Sequence, residues 1–175
     1  MDAIDAILSR KSTRAYKATQ VSDDTLQTIL QAGCAAPVAT GSYDSLHITV
    51  VQDKAILKQI SSGATDMATK ILGVKKDMDF GAPTMIVVSS CPSKIPGHEN
   101  FNAATVLENM AIAATSLGVD NIMWGAAAAV VEQVPHIKQS LDIPQGYKAL
   151  LCLSLGYALV DEPAKEHNID INFVQ

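Results

Sequence analysis

Asn109-Met110-Ala111-Ile112-Ala113-Ala114-Thr115-Ser116-Leu117-Gly118 is the stretch on which the reading of this chain turns. Val106, Met110, Ala113 and Leu117 recur at helical spacing, Leu107 and Ala114 reinforce them, and Gly118 stands where a left-handed residue closes a helix. A helix with such small residues along it suits a crowded position, so it is predicted to lie at the centre of the molecule.

Working outward, Thr84-Met85-Ile86-Val87-Val88 is a continuous apolar run of the kind a buried strand needs, stopped by Cys91-Pro92. On the other side come a short strand at Asn121 to Trp124, the small residues Gly125 to Ala128, and an amphipathic segment with Val134, Ile137 and Leu141. Pro135 belongs in its first turn. Lys148 to Tyr157 is predicted as a strand, as is the β-branched run Leu46 to Val51. Nearer the N-terminus, Asp2 caps a short helix with Ile4, Ile7 and Leu8 as its apolar positions, and Ser22 caps a second that ends near Ala36-Pro37. Ala55 to Ile60 reads as a short helix, and Ser61 to Gly81 as helix followed by mobile loop. The polar tail, Asp161 to Gln175, alternates Ile169, Ile171 and Phe173, which predicts a terminal strand laid on a partner's sheet. No repeat or linker divides the chain, so residues 1–175 are expected to form one α+β domain.

Composition narrows the function. The 175 residues are 48% hydrophobic and 18% charged, with a net charge of −5. This apolar balance predicts an oligomer that covers part of its surface. Acidity removes the cationic footprint that phosphodiester backbones require, so no nucleic-acid partner is expected. No segment reaches the ~20 apolar residues of a membrane span, and the N-terminus lacks a secretion signal. Cys34, Cys91 and Cys152 lack ligand spacing and read as reduced and buried, in keeping with a soluble cytoplasmic protein. His47, His98, His136 and His167 are dispersed, and no metal site is expected. The phosphate-loop, dinucleotide-fold, serine-hydrolase and zinc-protease motifs are all missing.

Chemistry concentrates in Arg10-Lys11-Ser12-Thr13-Arg14, where three cations and two hydroxyls fall within five residues. A dianionic phosphate wants this mixture: guanidinium forks give charge-assisted hydrogen bonds and hydroxyls add orientation. Taken alone, the cluster is a weak signal and reads more readily as the solvated basic end of a helix, its cations complementing the dipole.

Taken with the rest of the chain, this cluster resembles the nitroreductase family of FMN-dependent oxidoreductases. The resemblance runs through Arg10-Lys11-Ser12-Thr13-Arg14, Ala36-Pro37-Val38-Ala39, Ala82-Pro83 before the middle strand, Asn109 to Gly118, Trp124-Gly125-Ala126, Leu141 to Gly146 and Ser154-Leu155-Gly156-Tyr157. Gly41, Tyr43, Asp44 and Ser45 depart from the family pattern.

The resemblance implies a nitroreductase-like α+β fold, a mostly antiparallel central sheet flanked by helices in an intertwined homodimer, with FMN at the subunit seam. It implies that Arg10 and Ser12 hold the phosphate or ribityl chain with Lys11 nearby, and that Arg14 approaches the pyrimidine end of the ring. Gly125 N–H becomes the donor to flavin N5, beside Trp124. Pro37, Val38 and Ala39 reach the ring of the other subunit. Lys165 and His167 stand where the family closes the phosphate site with a basic pair, and a neutral His167 would hold phosphate less firmly than Arg. NADH or NADPH is the implied donor and a flat, electron-poor molecule such as a nitroaromatic or quinone the acceptor. No acid–base side chain or catalytic thiol is nominated, because hydride transfer through a flavin needs geometry more than a titrating group. The alternative is a flavin- or ligand-binding dimer without turnover, serving as sensor or store.

Overall fold

The computed structural model describes residues 1–175. Its elements are α1 (Ala3–Ser9), α2 (Asp23–Cys34), single turns at Ala39–Gly41 and Tyr43–Ser45, β1 (Leu46–Val51) and α3 (Lys54–Leu72). Then follow β2 (Thr84–Ser90), α4 (His98–Ser116), β3 (Asp120–Trp124), α5 (Gly125–Gln133), α6 (Pro135–Ser140) and β4 (Lys148–Gly156). The strands form one sheet in the order β1-β2-β4-β3, antiparallel throughout.

Helices cover both faces of this sheet, and strand pleating explains how. Along β2 successive side chains point to opposite faces. Met85 and Val87 pack with residues of α3, α5 and α6, whereas Ile86 and Val88 pack with residues of α2 and α4. Every residue of β2 is buried, which is why the strand reads as a continuous apolar run rather than an alternating one.

The central helix α4 ends as its sequence requires. Gly118, at φ 74°, donates its N–H to Thr115 O at 3.0 Å, and Val119 N–H reaches Ala114 O at 2.8 Å. These two bonds satisfy carbonyls that the helix leaves open. Leu107, Met110, Ala111 and Ala114 are fully buried. The helix crosses α2 so closely that a Cβ on Gly33 would lie 2.4 Å from Met110 Cε.

Several expectations need correction. The helix expected at Ala55–Ile60 runs on to Leu72, because Asp53 caps it and the residues that blur its period are absorbed locally. Thr65 and Thr69 hydroxyls donate to main-chain carbonyls four residues back, at 3.0 and 2.7 Å, and Gly63 lets Val130 approach. The small residues after Trp124 form a helix of their own, separated from α6 by extended Val134, the conformation a residue before proline favours. Within the single chain the predicted tail strand is absent: residues 161–175 carry no regular structure, and Ile169, Ile171 and Phe173 are exposed. The apolar positions of α1, Ile4, Ile7 and Leu8, are exposed, and its buried residue is Ala6. Of the cysteines only Cys152 is buried; Cys91 is half-buried and Cys34 exposed. No helix is long and apolar enough to cross a membrane.

Candidate functional site

The segment after α1 runs beside the β3 edge of the sheet. Ser12 bridges Asn121 in parallel, Thr13 N–H donates to Asn121 O at 3.0 Å, and Tyr16 N–H donates to Phe80 O at 3.0 Å. After β4 the chain returns alongside it. Lys17 N–H reaches Tyr157 O at 2.8 Å and Leu159 N–H reaches Ala15 O at 2.9 Å. These main-chain bonds carry two stretches remote in sequence to the two sides of one cleft.

Arg10, Lys11, Ser12, Thr13, Arg14 and Ala15 line one wall of this cleft, and Val160, Glu162, Pro163, Lys165 and His167 the other; its volume is about 490 Å³. Four permanent cations, Arg10, Lys11, Arg14 and Lys165, thus face one carboxylate, Glu162. Lys11 ties the walls together, pairing with Asp161 at 2.5 Å and donating to Glu162 O. The partner carboxylate is almost fully exposed, so the pair contributes little to stability. The Asp161 carboxyl is nonetheless held below its usual range by that hydrogen bond and charge. Tyr16 lies beneath the wall with its hydroxyl buried and unpartnered. Burial pushes its phenol well above the ordinary tyrosine range, Asp120 adds to the shift and Arg14 opposes it, so the phenol keeps its proton.

Six of the residues singled out from sequence, Arg10, Lys11, Ser12, Arg14, Lys165 and His167, are therefore brought together. The other five lie elsewhere. Trp124 is buried at the end of β3, where its Nε1–H donates to Ser154 Oγ, and it borders a separate groove of about 310 Å³ with Phe80, Pro83 and Met85. Gly125 opens α5; no side chain caps that helix, and the space where a Cβ would stand is open. Its first-turn N–H groups have no acceptor within the helix. Pro37, Val38 and Ala39 lie outside the cleft of their own chain. That segment is braced by α4: Asn102 Oδ1 accepts Ala39 N–H at 2.8 Å and Thr105 Oγ1 donates to Pro37 O at 3.1 Å.

A family model described as the nitroreductase family matches residues 7–157. The chain belongs to the nitroreductase family. Among solved nitroreductases it is similar to one with bound FMN from Desulfitobacterium hafniense DCB-2, at 26% identity and a TM-score of 0.85, with both chains covered in full. It is similar to another with bound FMN from Bacteroides fragilis NCTC 9343, at 27% identity and a TM-score of 0.84, again with both chains covered in full. An Archaeoglobus fulgidus protein inferred to be an NADH dehydrogenase/NAD(P)H nitroreductase is 32% identical over 161 residues, 89% of this chain and 85% of the relative.

Within this nitroreductase fold, Glu162 and Pro163 join the cleft with no motif to announce them. Asp120 is the larger omission. Its carboxylate accepts Ala158 N–H at 2.8 Å and the Thr13 hydroxyl at 3.4 Å, partners 38 and 107 residues away. A lone aspartate after a helix gives no sign of such contacts.

Proposed function

We propose that this chain is an FMN-dependent NAD(P)H oxidoreductase, working as a homodimer, whose acceptors are flat, electron-poor molecules such as nitroaromatics and quinones. The observation that carries the reading is the convergence of Arg10, Arg14 and Lys165 with Ser12 on one cleft. Fixed guanidinium and ammonium charges with hydroxyl donors form a donor set suited to a dianionic phosphate. The uncapped start of α5 leaves the Gly125 N–H without an acceptor, and a Cβ there would meet no neighbour, so the backbone at Gly125 is open to approach.

When bound, FMN would supply the hydride chemistry, accepting from NADH or NADPH and giving to the acceptor. The residues of this chain do the holding. Arg10, Ser12 and Lys165 grip the phosphate, and Lys11 must turn from Asp161 to join them. His167 adds charge only when protonated. Arg14 offers a positive charge to the ring, and Gly125 N–H a donor at its edge.

Two features support a homodimer. Ile4, Leu8 and Phe101 expose their apolar side chains, and Pro37 to Ala39, held against α4, lie outside the cleft of their own chain. A second copy would cover the first set and bring the second to its site.

The test is an absorbance spectrum of freshly purified protein followed by NADH and NADPH oxidation with a quinone. A flavin spectrum and steady turnover are expected. Protein that takes up no FMN would overturn the reading, and flavin without turnover would leave the sensor or storage alternative.

A further inference from the structure

We propose that Asp120 is a positioning residue that sets the gap between the two walls of the cleft; the proposal rests on the reading of that cleft as an FMN phosphate site. One wall descends from the N-terminal segment and the other from the chain beyond β4. Asp120 is bonded to both. Its Oδ2 accepts the N–H of Ala158, two residues before the far wall begins at Val160, and its Oδ1 accepts the hydroxyl of Thr13 in the near wall.

Asp120 itself is not among the residues that line the cleft. It borders a smaller cavity of about 170 Å³ with Ser9, Thr115 and Asn121, and Lys11 lines both. The carboxylate therefore acts through its neighbours rather than on the ligand. One side chain takes both contacts, the Ala158 N–H at 2.8 Å and the Thr13 hydroxyl at the longer 3.4 Å, so the two walls share a single anchor. Its footing is rigid. The adjacent Asn121 is buried and donates from Nδ2 to Ala111 O at 3.1 Å and Thr115 Oγ1 at 3.0 Å, which pins the start of β3 to α4. The Asn121 carbonyl meanwhile holds Thr13 N–H.

If the gap serves phosphate, loosening it must harm FMN and spare riboflavin, which lacks the phosphate. The experiment measures dissociation constants of both flavins for the flavin-stripped full chain, by quenching of flavin fluorescence. Wild type is expected to prefer FMN. Asp120→Ala should weaken FMN about tenfold or more, the size of effect a lost charged hydrogen bond gives, with riboflavin within about twofold. Asp120→Asn keeps a carbonyl acceptor for Ala158 N–H and should stay within about threefold of wild type. Asp120→Glu shifts the carboxylate by one methylene and should again lose FMN selectively; it provides the readout should Asp120→Ala fail to fold. Equal losses of both flavins, or an unchanged FMN-to-riboflavin ratio in the Ala and Glu variants, would overturn the proposal. A wild-type chain with no preference for FMN would overturn the phosphate reading together with it.

Discussion

The indole Nε1–H of Trp124 donates to the hydroxyl of Ser154 across 3.0 Å in the interior of the molecule, between residues that are 8% and 1% exposed. Phe80 packs on the indole with ring centroids 5.2 Å apart. The residue just before Gly125 is thus locked, and with it the start of α5. Ser154→Ala leaves a buried N–H without its partner, which costs about 1–3 kcal/mol. Urea unfolding should show the midpoint fall with the slope unchanged. A midpoint equal to wild type would mean that the indole finds another acceptor.

Arg10 is the clearest probe of the phosphate cleft, since it lines the cleft and makes no ion pair that its removal would break. Arg10→Ala should weaken FMN by about tenfold or more, the range of a charge-assisted bond, and leave the melting temperature of the flavin-free chain within about a degree. Added salt should weaken FMN in wild type more than in the variant, because the variant has one cation fewer to be screened. Titration of FMN at two ionic strengths checks both. Equal affinity in the two proteins would place the clamp elsewhere.

The apolar pattern carried most of the fold into the sequence, for identifiable reasons. Residues 84–88 and Val106, Met110 and Ala114 are buried inside one chain, so the apolar run and the helical spacing report them directly, whereas Leu117 of the same predicted stripe is exposed. The cap at Ser22 and the closure at Gly118 are local chemistry, and both stand where their residue types place them. The continuity of the Ser61–Leu72 helix with Ala55–Ile60 does not show in the sequence, because its threonines bond their own helix and Gly63 answers to Val130, a contact 67 positions away. The site divides in the same way. Arg10 to Arg14 are contiguous and visible as a motif, whereas Asp120 earns its place through partners that only folding brings near.

Leu8 and Ile4 lie one turn apart on α1, 73% and 63% exposed, on a helix whose buried side is Ala6. In the proposed homodimer such side chains are covered, and each buried leucine contributes about 1.5–3 kcal/mol. Leu8→Lys should raise the concentration at which the dimer forms by tenfold or more. It should also weaken FMN, because Pro37 to Ala39 of the second copy are then withdrawn. Light scattering across a dilution series, paired with flavin titration, checks this. A wild-type chain that elutes as a monomer while holding FMN tightly would sink the dimer.

Lys58 and Asp79 pair in the lining of the Trp124 groove, tying α3 to the segment that leads into β2. The Asp79 carboxyl is held below its usual range by the Lys58 hydrogen bond against some desolvation, and the Lys58 ammonium is held above its own by the same bond and charge. The signs set a window. A depressed carboxylate stabilises fully above its unfolded pKa and loses the contribution as pH falls through the folded value. A raised lysine stabilises fully below its unfolded pKa and loses the contribution as pH rises through the folded one. Lys58→Met should therefore lower the melting temperature across the neutral range, and the gap to wild type should close at both acid and alkaline extremes. The effect should be modest and shrink in salt, because both partners are partly exposed. Melting curves of the two proteins over a pH series provide the measurement, and a gap that is constant from acid to alkali would assign the loss to packing of the lysine stem instead.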